Sequence, residues 1–278
     1  MLSAAAAATV AQEMTASDVR PLAAVAFGDD PGRWPLPAAS SPFEHWLRAV
    51  AAGGQGRYGS ARADLAALRR RARTGPLVSL AHSAHASFLR QLGGHAVARG
   101  WDGRALASAG GELEATVDAL IGLGADALGL KRFAASAALL TRAHAVLADV
   151  GAVPNRLPLR LGWVTAELAM VSGDGVAAVR HAECASELAA TSPSLRHRVK
   201  TDVVLAAALC SAGDVRRART VADDALAATG RAGLMPLKWA VASLLVDIGS
   251  DALTADQLRT VRDDCAVELQ RRGGVWYR

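Results

Sequence analysis

The stretch Ser211-Ala212-Gly213-Asp214-Val215-Arg216-Arg217-Ala218, continued by Ala225-Leu226, decides the fold. Apolar residues on both sides of Gly213 recur at three- and four-residue spacing, the period of an amphipathic helix, and a glycine just past a helix end supplies the left-handed backbone that terminates it. Working outward, equivalent turns fall at Gly173, Lys131, Gly93 and Gly56 on one side and at Gly249 on the other, 36 to 42 residues apart, with Lys131 filling the one slot that lacks glycine. Seven residues before each turn stand Ala49, Ala86, Gly124, Ala166, Ala206 and Ala242, all small. Four before it are Ala52, Leu89, Ala127, Ala169, Leu209 and Leu245, all apolar, so both phases share one helical face. Five after it come Ala61, Ala98, Ser136, Ala178, Ala218 and Thr254. Each unit therefore reads as two helices around a tight turn, the small residues admitting close helix contact.

Composition agrees with an all-helical reading. Ala and Gly supply about a third of the 278 residues, whereas Phe, Trp and Tyr make up 4%, which argues against a β-sandwich or barrel. With 51% apolar and 21% charged residues the chain can bury a sizeable core and is not a disordered tail. Lys and Arg number 31 against 26 Asp and Glu, an excess too mild to imply nucleic acid unless it is focused on one face. Cys184, Cys210 and Cys265 have neither metal nor redox spacing and read as free thiols of a reducing cytosol. The first basic residue is Arg20, so the Ala4–Ala8 run lacks the basic flank of a signal peptide, and no apolar stretch reaches the roughly 18 residues of a membrane span. A cytoplasmic protein is expected.

Three segments follow. Residues 1–42 hold a predicted helix from Ser3 to about Met14, then Pro31, Pro35, Pro37 and Pro42, which read as an extended lead-in wrapped on or detached from the body. Helical repeats fill residues 43–272. Residues 273–278 form a tail whose Trp276 and Tyr277 are expected to fold back on the last helices or to pair with a second subunit, giving a homodimer through the C-terminal end.

The segments Gln55-Gly-Arg-Tyr58-Gly-Ser-Ala61, Gln91-Leu-Gly93-Gly-His95-Ala-Val-Ala98, Leu123-Gly124 with Phe133 and Ala143, and Ala212-Gly213-Asp-Val-Arg-Arg-Ala218 resemble tetratricopeptide repeats over about residues 43 to 270. The period is longer than the family's usual 34 or so residues, and the aromatic expected two residues after the turn survives only as Tyr58 and Phe133. The resemblance implies an all-α, right-handed α-solenoid of about six antiparallel helix pairs, in which the first helix of each pair lines a concave groove that holds extended peptides or partner helices. Such repeats occur in bacterial cytosolic adaptors and in the sensor portions of transcription regulators; no helix-turn-helix is recognisable beside them here.

Ten residues before each turn, where side chains should point toward that groove, stand Trp46, Ser83, Ile121, Trp163, Val203 and Trp239, so half of the six Trp residues share one phase. Neighbouring phases add Arg90, Gln91, Asp118, Arg160, Glu167 and Lys200. The candidate partner-binding residues are Trp46, Arg90, Gln91, Arg160, Trp163, Glu167, Lys200 and Trp239, since Trp and Arg dominate binding energy at interfaces. The Trp residues would otherwise pack between successive pairs; Trp163 is expected to be at least partly exposed. Arg196, His197, Arg198 and Lys200 open the first helix of the fifth unit, where cations oppose the helix dipole. They read either as a solvated face or as a candidate anion site.

No pattern of catalysis appears. His82 and His85 lack a carboxylate or Cys on their own helix to complete a metal site, and the adjacent Asp223-Asp224 and Asp263-Asp264 diverge. The run Arg69-Arg70-Arg71-Ala72-Arg73 complements a helix C-terminus and carries no interleaved aromatics. Neither catalytic residue, metal nor cofactor is expected, nor a nucleic-acid or membrane partner. The expected function is a non-enzymatic protein- or peptide-binding scaffold that captures an acidic segment or a C-terminal carboxylate on Arg90, Arg160 and Lys200. The alternative is a sensor whose groove takes a small anionic ligand or signal peptide and controls a transcription or signalling partner, which a closed pocket under the Trp residues would suit.

Overall fold

The computed structural model describes residues 16–148 and 154–277, with side chains from Pro21 onward. Among these residues there are thirteen helices and no strand. A single helix, α1 (Ala16–Phe27), precedes six consecutive pairs. These are α2 (Pro42–Gly54) with α3 (Tyr58–Arg71), α4 (Pro76–Arg90) with α5 (His95–Ser108), and α6 (Leu113–Gly129) with α7 (Phe133–Ala148). The remainder are α8 (Arg156–Val171) with α9 (Gly175–Ala190), α10 (Leu195–Ser211) with α11 (Val215–Arg231), and α12 (Met235–Ile248) with α13 (Ala255–Arg271).

The turns inside the pairs share one geometry. Their φ angles are 74° at Gly56, 83° at Gly93, 58° at Lys131, 79° at Gly173, 87° at Gly213 and 84° at Gly249. Among the described residues Lys131 alone has positive φ without being glycine. In five of the turns the carbonyl four residues before accepts the N–H one residue after: Ala52 from Arg57, Leu89 from Gly94 and Ala127 from Arg132 at 2.8 Å, Ala169 from Asp174 and Leu209 from Asp214 at 3.0 Å. That bond satisfies a carbonyl the helix end would otherwise orphan. The following helix is capped at once: Asp174 and Asp214 accept the N–H of Ala177 (2.9 Å) and Arg217 (3.2 Å), and Thr254 with Gln257 forms a capping box.

Small residues sit where paired helices touch. Ala49, Ala86, Ala166, Ala206 and Ala242 are 0% exposed, and Gly124 is buried so close to Leu140 of α7 that a Cβ there would lie 3.0 Å from its side chain. Each second helix then packs on the first helix of the next pair, and the first helices touch one another in the order α2, α4, α6, α8, α10, α12. They form a continuous inner wall.

The row of pairs closes on itself. Leu269 of α13 is buried in the same core as Tyr58 and Leu65 of α3, and Gly59 donates to the Arg272 carbonyl at 2.9 Å. Arg272 Nη1 donates to the Gln55 carbonyl (2.9 Å), Arg62 Nη2 to that of Gly273 (2.8 Å), and the Tyr277 N–H to that of Leu92 (2.9 Å). The tail folds back as expected, with Trp276 against Trp239 at 4.6 Å between ring centroids, but it continues onto the first two pairs.

The lead-in is bound to the body. The predicted helix Ser3 to Met14 lies outside the described residues; between it and the proline-rich stretch, where no helix was predicted, stands α1, which keeps Pro21 and buries Leu22, Val25 and Ala26. Gln55 Nε2 donates to the carbonyls of Pro31 (2.8 Å) and Arg33 (3.0 Å). At the other end the Leu195 N–H and Arg196 Nη2 donate to the carbonyls of Gly28 (2.9 Å) and Ala26 (3.2 Å), so the lead-in spans the first and fifth pairs.

Candidate functional site

All six first helices contribute to one central cavity of about 420 Å³, within the usual range of small-molecule sites. The eight residues Trp46, Arg90, Gln91, Arg160, Trp163, Glu167, Lys200 and Trp239 all line it. They converge because each lies on the inward face of a first helix or, for Gln91, just past its end. Gln91 is fixed there by the Tyr58 hydroxyl, which donates to its Oε1 at 3.0 Å.

The candidate anion cluster divides. Arg196, His197 and Lys200 line the cavity, whereas Arg198 turns away and donates to the Ser192 carbonyl at 2.5 Å. At about 3.6 residues per turn, side chains spread over positions 196 to 200 cannot all face one site. Trp163 also departs from expectation: it is only 8% exposed, because α10 lies against it, Thr201 Oγ1 accepting its indole N–H at 2.9 Å and the His197 ring meeting it edge-on at 5.5 Å. One edge of a largely buried residue thus borders the cavity.

Arg156, Phe27, Phe88 and His95, none of them among the residues expected at the groove, line the same space. Arg156 had a findable signal, since it and Arg196 both stand seventeen residues before their turns, at Gly173 and Gly213. Phe27 had none. It reaches the cavity from α1 and touches both Trp46 (5.4 Å) and His197 (6.0 Å), closing the wall between the first and fifth pairs.

Among the described residues five Lys and Arg side chains line the cavity, and four have carboxylate partners. Arg90 pairs with Asp102 and with Asp126 (3.1 Å), Arg156 with Glu114 (2.8 Å) and Asp118 (3.1 Å), Arg160 with Asp118, and Lys200 with Glu167 (3.3 Å). Arg196 has no carboxylate partner among the described residues; its Nη2 meets only the Ala26 carbonyl, and its Nε is buried without a partner. Burial, then Arg90, pushes Arg160 down to about 10, and burial, then Arg156, does the same to Arg196. Burial followed by Arg196, Arg156 and Arg160 holds His197 well below the usual imidazole range. Burial drives Asp102 up to about 7 against the pull of Arg90, with Asp126 adding to the rise. Of the carboxylates among the described residues, Asp118 and Glu167 alone line the cavity beside the five cations, so its wall is short of negative charge.

His82 and His85 lie elsewhere, against Trp101 at 5.3 and 4.2 Å, and His45 pairs with Asp64 at 2.9 Å. Among the described residues no group of His, Cys, Asp and Glu could hold a metal ion, and no helix is long and apolar enough to cross a membrane. No family model matches the chain, and no curated protein matches it in sequence.

Proposed function

We propose that the chain is a non-enzymatic binding protein built from six tetratricopeptide-like units, and that its binding site is the central cavity, which takes a compact ligand or a peptide end. The observation that carries this reading is the convergence of all six first helices on one space whose row of pairs has no open end. An extended peptide needs a trough it can enter and leave; here α13 and the tail lie on the first two pairs, and Phe27 spans from the first to the fifth. The sensor reading is favoured over the scaffold for that reason, because occupancy of a chamber touching every unit can bias the whole domain. The carboxylates beside Arg90 sit behind it, outside the cavity lining, and offer no acid–base pair to a bound molecule.

The test is fluorescence titration with the neutral probe N-phenyl-1-naphthylamine. One molecule should bind per chain, and Ala84→Trp, which fills the space beside Ser83 and Ser87, should abolish binding while leaving the melting temperature unchanged. Equal binding by the stably folded variant, or no saturable binding by the wild type, would remove the cavity as the site.

A further inference from the structure

Resting on the cavity as the binding site, we infer that its natural occupant is an anion joined to a flat apolar body, the anionic group seated at Arg196 and the indole N–H of Trp46. Three features of the wall meet in this assignment.

The first is an uneven pairing of charge. Asp102, Asp126, Glu114, Asp118 and Glu167 engage Arg90, Arg156, Arg160 and Lys200, while among the described residues Arg196 is left with a backbone carbonyl and an unmet Nε–H. A guanidinium presents donors in a fixed fork suited to a carboxylate, sulfonate or phosphate, and a buried one without an anion is costly.

The second is a set of orphaned neutral groups. Trp46 is 6% exposed and Ser83 2%, both line the cavity, and neither the Trp46 Nε1–H nor the Ser83 Oγ has a partner among the described residues. An indole N–H can only donate, so what completes it must accept. Buried groups of this kind are nearly always satisfied in folded proteins, and at a cavity wall the partner that completes them comes from the cavity.

The third is the shape of the remainder. Phe27, Trp46, Phe88, Trp163 and Trp239 supply the apolar walls. The Arg156 and Arg196 guanidinium carbons lie 5.9 Å from the Phe27 ring centre, and that of Arg156 is equally far from Trp46, so the cationic and aromatic parts of the wall adjoin. A ligand with its charge at one end of an aromatic or alicyclic body matches both parts at once; a cation or a fully polar anion matches only one.

A matched pair of probes tests this. 8-Anilinonaphthalene-1-sulfonate and N-phenyl-1-naphthylamine share one ring system and differ by the sulfonate. The wild type should bind the sulfonate at least about tenfold tighter, the scale of a hydrogen-bonded ion pair. Arg196→Met should erase that preference without weakening the neutral probe, Arg196→Lys should keep part of it, and Trp46→Phe, which removes only the N–H donor, should reduce it. Thermal melts of each variant guard against loss of fold, and Trp46→Phe carries the test if Arg196→Met unfolds. Equal affinity of the wild type for the two probes, or a preference untouched by Arg196→Met and Trp46→Phe in folded protein, would overturn the anion assignment and leave the cavity standing as a site. Failure of both probes would overturn the cavity itself.

Discussion

Lys131 shows how much a single position records. Five of six equivalent turns use glycine, and the sixth forces a lysine into φ 58°, a conformation costing an L-residue about 1–2 kcal/mol. Lys131→Gly should therefore stabilise the fold by about 0.5–1 kcal/mol after the added freedom of the unfolded chain is subtracted. Gly213→Ala should cost about 1 kcal/mol through the backbone alone, since a Cβ there would meet nothing within 4 Å. Chemical denaturation measures both, and a destabilised Lys131→Gly would contradict the turn assignment. Asp102 makes a second forecast. Its carboxyl holds a proton up to about pH 7 in the fold, whereas in the unfolded chain it loses it near 3.8. Its contribution to stability therefore falls as pH rises through that window and levels above it. Asp102→Asn lacks this term, so its melting temperature relative to wild type should climb between about pH 4 and 7. A difference that stays flat over that range would mean the carboxyl is ionised in the fold.

At the scale of the element, the pair is what the sequence makes legible, because its constraints are local and repeat. Ala206 is 0% exposed in the core shared by α10 and α11, so Ala206→Leu should overpack it and cost about 1–3 kcal/mol, read as a lower denaturation midpoint. An unchanged midpoint would show that the two helices do not touch there. The inward phase that carries Trp46, Trp163 and Trp239 is legible for the same reason. Helix α1 is not legible in this way, because Pro21 argues against a helix and its hold comes from Leu22, Val25 and Ala26 packing on a core assembled from residues far along the chain. Nor is the place of Trp163 between wall and core, since that depends on how tightly α10 approaches α8, a distance no periodicity encodes. Arg156 lay within reach through the phase it shares with Arg196.

For the whole molecule, the decisive property is closure, and closure is invisible in a repeat read unit by unit. Each pair knows only its neighbours, whereas the contacts of Leu269, Arg272 and Tyr277 with the first two pairs join residues roughly two hundred positions apart. Those contacts turn an open groove into a chamber. The most direct test is a disulfide across the junction. A Cβ built on Gly93 lies 4.0 Å from the Tyr277 Cβ, inside the span of about 3.5–4.5 Å that a disulfide bridges. That Cβ would also lie 3.0 Å from the Tyr277 carbonyl oxygen, so the tail must give by a few tenths of an ångström; with backbone strain of about 1–2 kcal/mol at Gly93, the cost stays small beside the fold's total stability. In a chain carrying Cys184→Ser and Cys210→Ser, the double variant Gly93→Cys and Tyr277→Cys should form an intrachain disulfide under mild oxidation, seen by peptide mass mapping, with the native helical spectrum retained. A native spectrum with both introduced thiols free, or linked only between chains, would mean that the two ends do not meet and that no chamber exists.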